Sequence, residues 1–373
     1  MEEVEKSKKE IVIGFDDEKS MGFLKNYLNN PSPSGFESSL GSQKIFADYI
    51  RPYVSDITLD VYGSLIATTG NMNSDYKVVI EAHADEIGYY VNYLDNGFIR
   101  VIRDGGSDVM ITPSMRVNIH TRSGKIISGV FGSPAIHIHK SKLDINLDSI
   151  FIDVGATSND ELKEMGIEVG DVITLADGYF ESFSDKFICG RSLDNKLGGF
   201  LLSQVLRRIK EENIELPFKL IMVNSCMEET GLQGSYMNAN SIKPDVALVV
   251  DVCHDTTAPC YNEKKEGKTI FGEGGVLTIA TPVHNNLLNM WRECLDKDDI
   301  KYQMSVGNGG TGTDTDSYAF ANGGIPSALI SIPLRYMHTT IETSYKEDVE
   351  VIIQSFISIL KEIKEGQDFG YKL

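Results

Sequence analysis

The spacing of apolar positions changes character several times along the chain. Between Met21 and Asn30 they recur at helical intervals, which predicts a short amphipathic helix. The turn Pro31-Ser-Pro-Ser-Gly-Phe-Glu37 follows, and Ser34 or a neighbour is placed to cap a second helix running to about Tyr53. The period then drops to two. Asp56-Ile-Thr-Leu-Asp-Val-Tyr62 alternates, Gly63 breaks the run, and Leu65-Ile-Ala-Thr-Thr69 resumes it. Lys77-Val-Val-Ile-Glu81 reads as a buried strand that delivers Ala82-His83-Ala84-Asp85-Glu86. From about Gly88 to Ser184 the runs are short, alternating and separated by glycine turns, as in Met115-Arg-Val-Asn-Ile-His120 and Lys125-Ile-Ile-Ser-Gly-Val130. They predict a small all-β sandwich or barrel inserted into a larger domain, with one helix, Ser158 to Met165, ending at Gly166. His137 and His139 alternate on a strand of this insertion and would share a face.

Past Asp194 a helix begins, with Leu197, Leu201, Val205, Leu206 and Ile209 on one side. Strands are then expected at Phe218–Asn224, Asp245–Asp251, Tyr302–Val306 and Ser327–Pro333. Helices are expected over His284–Leu295 and from about Lys346 to Glu365. Such alternation is an α/β pattern in which helices cover a largely buried sheet.

Composition narrows the picture by exclusion. With 373 residues, 41% hydrophobic and 24% charged, the chain has the make-up of an ordinary globular protein with one large core or two moderate ones. The excess of 54 acidic over 35 basic residues gives a net charge of −19, which repels nucleic acid and anionic membrane surfaces. The N-terminal stretch scatters charges through its length and has no apolar core of signal-peptide size. No later run is long enough for a membrane span, so a cytoplasmic location is expected. Cys189, Cys226, Cys253, Cys260 and Cys294 are widely spaced without a C-x-x-C pair, which supports neither a disulfide framework nor a thiolate zinc site. They read as small buried hydrophobes.

The candidate chemistry falls at strand ends. Glu228 and Glu229 directly follow an apolar run and precede the turn formers Gly231 and Gly234. Two adjacent carboxylates repel, and keeping both ionised in a partly dry pocket calls for a positive charge, for which a bound metal is the strongest candidate. On its own the pair reads more readily as a solvated acidic loop. His83 follows a second buried strand, Asp251 ends a third, His338 lies in the loop after a fourth, and Asp194 opens a helix. In open α/β sheets such strand ends converge on one crevice. Two histidines and three carboxylates suit two divalent ions about 3.5 to 4 Å apart with one carboxylate bridging. Taken singly, each residue has a plainer role: a core histidine, a helix cap for Asp194, a turn former for Asp251, a structural ion pair for Asp85.

Pro33-Ser-Gly-Phe-Glu37, Ala82-His-Ala-Asp-Glu-Ile-Gly88, Leu193-Asp-Asn195, Glu228-Glu-Thr-Gly231, Gly312-Thr-Asp314 and Arg335-Tyr-Met-His338 occur in that order. In this ordered set the chain resembles the dinuclear metallo-aminopeptidases of the tetrahedral, or TET, family, which includes glutamyl and deblocking aminopeptidases. The likeness runs from about Met21 to the C-terminus. It implies a mixed-sheet α/β/α catalytic domain of the zinc-aminopeptidase type, formed by 1–87 and 185–373, and a barrel-like β domain over 88–184 that serves dimerisation within a dodecameric shell. It further implies that His83, Asp194 and Asp251 bind one ion and that Asp194, Glu229 and His338 bind the other, with Asp194 bridging. Glu228 would be the general base, and Asp85 would orient His83.

The chemistry asks for these residue types. A peptide carbonyl is a poor electrophile and neutral water a poor nucleophile. A pair of divalent ions polarises the first and lowers the pKa of the second, while a free carboxylate moves the proton to the departing amine. Asp85, two residues after His83, is suited to accept the other imidazole N–H. Oxygen and imidazole ligands without thiolate suit zinc foremost, with cobalt or manganese as alternatives. Peptides are the expected substrates of a homo-oligomer.

Gly307-Asn-Gly-Gly-Thr-Gly-Thr-Asp-Thr-Asp316 lacks the Gly-Lys-Ser/Thr end of a phosphate loop and reads as a wall of the substrate pocket, with Asp314 bracing the site. Arg335 reaches either the pocket or a structural partner. Asn195-Lys196 and Thr339-Thr340 depart from the family's usual residues, and the leader before Met21 looks like an extension. Two other readings remain at this stage. One is a metal-independent glycosidase using Glu228 and Asp85, which would need two free carboxylates flanking a sugar. The other is a catalytically silent peptide-binding assembly protein.

Overall fold

The computed structural model describes residues 11–135, 137–138, 144–180 and 184–373, and the statements below concern those residues. In chain order, α1 (Glu18–Asn29), α2 (Ser42–Ile50), β1 (Asp56–Leu59), β2 (Leu65–Gly70) and β3 (Lys77–His83) come first. Then follow β4 (Gly88–Asp95), β5 (Phe98–Asp104), β6 (Arg116–His120), β7 (Ile126–Phe131), β8 (Ile152–Asp153), α3 (Asn159–Met165) and β9 (Val172–Leu175). The chain continues through β10 (Phe187–Gly190), α4 (Leu193–Glu211), β11 (Lys219–Ser225), α5 (Gln233–Ile242), β12 (Val246–His254), α6 (Glu263–Glu266) and β13 (Gly275–Ile279). It ends with α7 (Asn285–Lys297), β14 (Tyr302–Val306), α8 (Asp314–Phe320), β15 (Ser327–Arg335), β16 (Glu342–Tyr345) and α9 (Lys346–Glu362).

The large sheet runs β1-β2-β11-β3-β12-β15-β13-β14, with β16 pairing both β15 and β10. It is mixed: β11, β3, β12 and β15 are mutually parallel neighbours, whereas β1 on β2, β2 on β11 and β13 on β15 are antiparallel. The parallel strands are buried along nearly their whole length, so both of their faces are covered. Successive side chains of β11 show what covers them. Asn224 accepts a hydrogen bond from the Tyr27 hydroxyl on α1, and Ser225 lies against Asp314 on α8, so helices occupy opposite sides of the sheet. The second unit is a closed barrel, β4-β5-β8-β7-β6-β9, around its own apolar core, which includes Tyr89, Ile99, Ile119, Phe131 and Ile173. A barrel therefore stands where the sequence left sandwich and barrel open.

Local signals set several boundaries as expected. Ser158 caps α3 by accepting from the Glu161 amide, and Gly166 ends it in the left-handed conformation. Elsewhere the tertiary structure overrides them. The second helix begins at Ser42 after Gly41, with no side-chain cap, rather than near Ser34. The reason is that Ser34 donates to Asp85 and Glu37 accepts from the backbone amides of Gly35 and Met227, so the 31–41 stretch is committed to the centre of the molecule. Part of the leader is likewise packed inward. Phe15 is fully buried edge-on against Phe200, and Gly14 donates to Glu350. His137 lies in a turn, and His139 falls outside the described residues. All five cysteines are unpaired; Cys189, Cys226 and Cys294 are buried, whereas Cys260 is exposed. No helix is long and apolar enough to cross a membrane.

Candidate active site

Strand register assembles the site. In the parallel pairings Ser225 stands beside His83, and Asp251 beside Ser331. The carboxyl ends of β11, β3, β12 and β15 are therefore neighbours, and the loops leaving them open onto one crevice. β3 ends on His83, the β11 turn carries Glu228 and Glu229, β12 carries Asp251, and the loop after β15 carries His338. Asp194 enters from the start of α4, where it and Asn195 have non-helical dihedrals and are joined by a cis peptide. The Asn195 side chain donates to the Val250 carbonyl and accepts from the Gly198 amide, which ties this helix start to β12.

All five expected ligands and Glu228 meet there. One oxygen of Asp194 lies 3.2 Å from Nε2 of His83, and its other oxygen lies 3.2 Å from Nε2 of His338. Glu229 approaches His338 Nε2 at 3.3 Å, while Glu228 and Asp251 approach His83 Nε2 at 3.8 and 3.9 Å. Two overlapping sets of ligand atoms, His83–Asp194–Glu229 and His83–Glu228–Asp251, each fall within 4.8 Å of one another. Both imidazoles are oriented from behind. His83 Nδ1 faces Asp85, at 3.2 Å from its carbonyl and 3.4 Å from its carboxylate, and His338 Nδ1 is 3.1 Å from the Gly106 carbonyl. Imidazoles that donate Nδ1–H to these acceptors would leave each Nε2 lone pair free for a ligand held among the carboxylate oxygens. One proton cannot satisfy so many acceptors, whereas divalent cations can, and the donor set fits them.

The supports of this constellation are mostly buried acids. Asp85 accepts from the Glu228 amide with one oxygen and from the Glu229 amide with the other, both at 3.0 Å, and receives the Ser34 hydroxyl at 2.6 Å. Glu37 takes the preceding amide, that of Met227, at 3.0 Å. Glu342 accepts from the amides of Asp194 and His338. Ser34 and Glu37 sit inside the Pro-Ser-Gly-Phe-Glu motif, but sequence reasoning offered Ser34 only a helix-capping role and Glu37 no contact. Glu342 and the Gly106 carbonyl carried no signal at all, since a backbone acceptor and an acid four residues past a histidine match no pattern. Asp314, expected to brace the site, is buried and receives the Ser235 hydroxyl at 2.5 Å. The Ser225 hydroxyl contacts both Asp314 and Glu81, and burial together with the Asp314 charge raises the Glu81 pKa well above its ordinary value. Arg335 has a structural partner: it is paired with Asp255, bonded to Thr257 at 2.9 Å and stacked over the Phe271 ring.

The electrostatics match a cation site. Burial disfavours charge on His83, but Glu228, Asp194, Asp85 and Asp251 outweigh it and raise its pKa well above normal. Burial also opposes ionisation of Asp194, yet the flanking His338 and His83 hold its pKa below the usual carboxylate range. Glu228 goes the other way: burial, with Asp251, Asp314 and Glu229 nearby, raises it far above the usual value despite His83. Cations among these groups would offset that repulsion and favour its ionised form.

This fold is that of the metallo-aminopeptidase class of α/β hydrolytic enzymes, and the relationship can be made specific. The profile of the M42 glutamyl aminopeptidase family matches residues 63–354, so the chain belongs to that family and is an aminopeptidase. Lysyl aminopeptidase of Pyrococcus furiosus is 29% identical over 346 residues, spanning 91% of this chain and 96% of the relative. Among solved structures, the TET aminopeptidase of the marine sediment archaeon Thaumarchaeota archaeon SCGC AB-539-E09 superposes with a TM-score of 0.87 at 28% identity, covering 93% of this chain and 97% of that one. PhTET1-12s, a dodecamer in its asymmetric unit, superposes with a TM-score of 0.80 at 25% identity, covering 92% and 99%.

Proposed function

We propose that the protein is a co-catalytic dinuclear metal aminopeptidase that hydrolyses N-terminal residues from peptides. The observation that carries this reading is the placement of the two Asp194 oxygens, each 3.2 Å from the Nε2 of a different histidine. A carboxylate so shared is what a bridging ligand requires. His83, Asp194 and Asp251 would hold one ion and Asp194, Glu229 and His338 the other, with zinc foremost and cobalt or manganese as alternatives. Bound ions would polarise the scissile carbonyl and lower the pKa of the attacking water. Glu228 accepts the proton of that water and returns it to the departing amine. Its neighbour Glu229 is turned to His338, and Asp85, by holding both of their amides, sets the turn that lets adjacent acids serve separate roles. Asp85 also fixes the tautomer of His83.

The same contacts weigh against the glycosidase reading. Asp85 accepts several bonds and is fully buried, so it is not a free acid flanking a substrate. A silent peptide binder would not need a shared carboxylate between two oriented imidazoles. We further read 1–87 and 185–373 as the catalytic unit and 88–184 as an assembly module of a cytoplasmic dodecamer, by likeness to the TET neighbour. Native mass spectrometry would report the subunit count, and a monomer in solution would count against that assembly. The function is tested with a panel of aminoacyl chromogenic substrates on chelated enzyme reloaded with zinc, cobalt or manganese. Activity that disappears on chelation and returns with metal is expected; activity indifferent to chelation would remove the metal mechanism.

A further inference from the structure

Two stretches distant in sequence carry the ligands around which the centre is built. Asp194 leaves β10 through Arg191, Ser192 and Leu193, and His338 lies in the hairpin between β15 and β16. Neither backbone is in an ordinary conformation. His338 has φ 62°, and Ser192, two residues before Asp194, has φ 57°, both left-handed without being glycine. Left-handed conformations of this kind are unfavourable for residues other than glycine and persist only where surrounding contacts hold them.

One side chain makes those contacts for both stretches. Glu342 opens β16 and is 2% exposed. Its Oε1 accepts from the His338 amide at 2.7 Å, and its Oε2 accepts from the Asp194 amide at 3.1 Å. Its position at a fork in the sheet makes this possible. Antiparallel pairing sets Gly190 of β10 opposite Glu342 and Arg335 of β15 opposite Thr343, so β16 borders both entering segments at once. Two amide donors converge on one side chain, and only a carboxylate supplies an acceptor to each. A glutamine would turn its own NH₂ toward one of them.

We infer that Glu342 is a positioning residue for the dinuclear centre: its carboxylate ties together the backbones of Asp194 and His338 and thereby sets the spacing between the bridging ligand and the second histidine. The inference rests on the metal reading proposed above and concerns ligand geometry, since Glu342 reaches the reacting atoms only through the residues it holds.

The test uses full-length protein stripped by chelation and titrated with zinc and with cobalt, comparing the parent with Glu342→Gln, Glu342→Asp and Glu342→Ala. The readouts are calorimetric metal dissociation constants, the visible spectrum of the cobalt form, the melting temperature without metal, and kcat and KM at saturating metal. Glu342→Gln is expected to melt near the parent without metal, yet to bind at least one ion about 10- to 100-fold more weakly, with an altered cobalt spectrum and a lower kcat at similar KM. Glu342→Asp keeps the charge but withdraws both oxygens by one methylene, so it is expected to lose affinity as well. That result would separate placement from charge, and it carries the test should Glu342→Ala not fold. Parental dissociation constants and cobalt spectrum in Glu342→Gln and Glu342→Asp would overturn the inference, even with a lowered melting temperature, because Glu342 would then be structural alone. A parent that binds no ion stoichiometrically would overturn the metal reading itself, and that failure is visible before any variant is made.

Discussion

Two adjacent glutamates face different histidines because a third acid holds their backbones. Asp85 takes the amides of Glu228 and Glu229 on separate oxygens, Glu37 takes the amide before them, and the turn presents Glu229 to His338 and Glu228 to His83. Glu228 and Asp251 are almost equally close to His83, so metal content distinguishes base from ligand. Glu228→Gln is expected to retain both ions and lose about 10²- to 10⁴-fold in kcat, whereas Asp251→Asn is expected to lose one ion, as read by metal analysis. Asp85→Asn keeps the size but removes an acceptor that serves His83 and the turn together. Its metal affinity should fall about 10- to 100-fold with kcat falling alongside, measured by titration of the stripped protein.

At the scale of elements, the barrel reaches the centre. The loop leaving β5 brings the Gly106 carbonyl to His338 Nδ1, so a strand of the inserted unit orients a residue of the other unit. A side chain here would crowd the ring: a Cβ on Gly106 would lie 3.0 Å from His338 Cε1, so the imidazole would have to shift by a few tenths of an ångström. Gly106→Ala is therefore expected to weaken metal binding while leaving the barrel folded, and unchanged affinity would show that His338 is held adequately without this loop. His120, at the end of β6, tests the junction between the units. Burial and the Arg191 charge lower its pKa against the pull of Glu86. A base whose folded pKa lies below its unfolded value of 6.5 takes up a proton on unfolding, so its contribution to stability is present above that pH and is lost below it. Denaturant midpoints at about pH 7.5 and about pH 5.5 should fall further for the parent than for His120→Gln.

For the whole molecule, the dense carboxylate centre couples metal to stability. Asp194, Glu228, Glu229 and Asp251 are gathered in one crevice of a chain already at −19, and cations bound only by the folded form would stabilise it. Free metal at 100 times its dissociation constant would add about 2.7 kcal/mol, so chelation is expected to lower the melting temperature and metal to restore it. A melting temperature indifferent to both would mean that the crevice holds no ion tightly.

Much of this protein is legible in its sequence, because hydrophobic period and turn residues are local properties. The α/β alternation, the inserted β unit, the limits of α3 and the strand-end positions of His83, Glu228, Glu229, Asp251 and His338 all follow from residues within a few places of one another. Asp194 was legible locally as an acid at a helix start, and its bridging role was implied by the family resemblance rather than by any local pattern. What the sequence alone could not decide is what those residues are held by. Ser34 looks like a helix-capping residue until the fold carries it to Asp85, and Glu37 has no evident partner until the fold sets it against the Met227 amide. The acceptor for His338 is a main-chain carbonyl from the barrel, and the acid beneath Asp194 arrives from 148 residues away. Hydrogen-bond partners of that kind are chosen by strand register and crossover connections, which bring distant backbones within reach only once the sheet has formed.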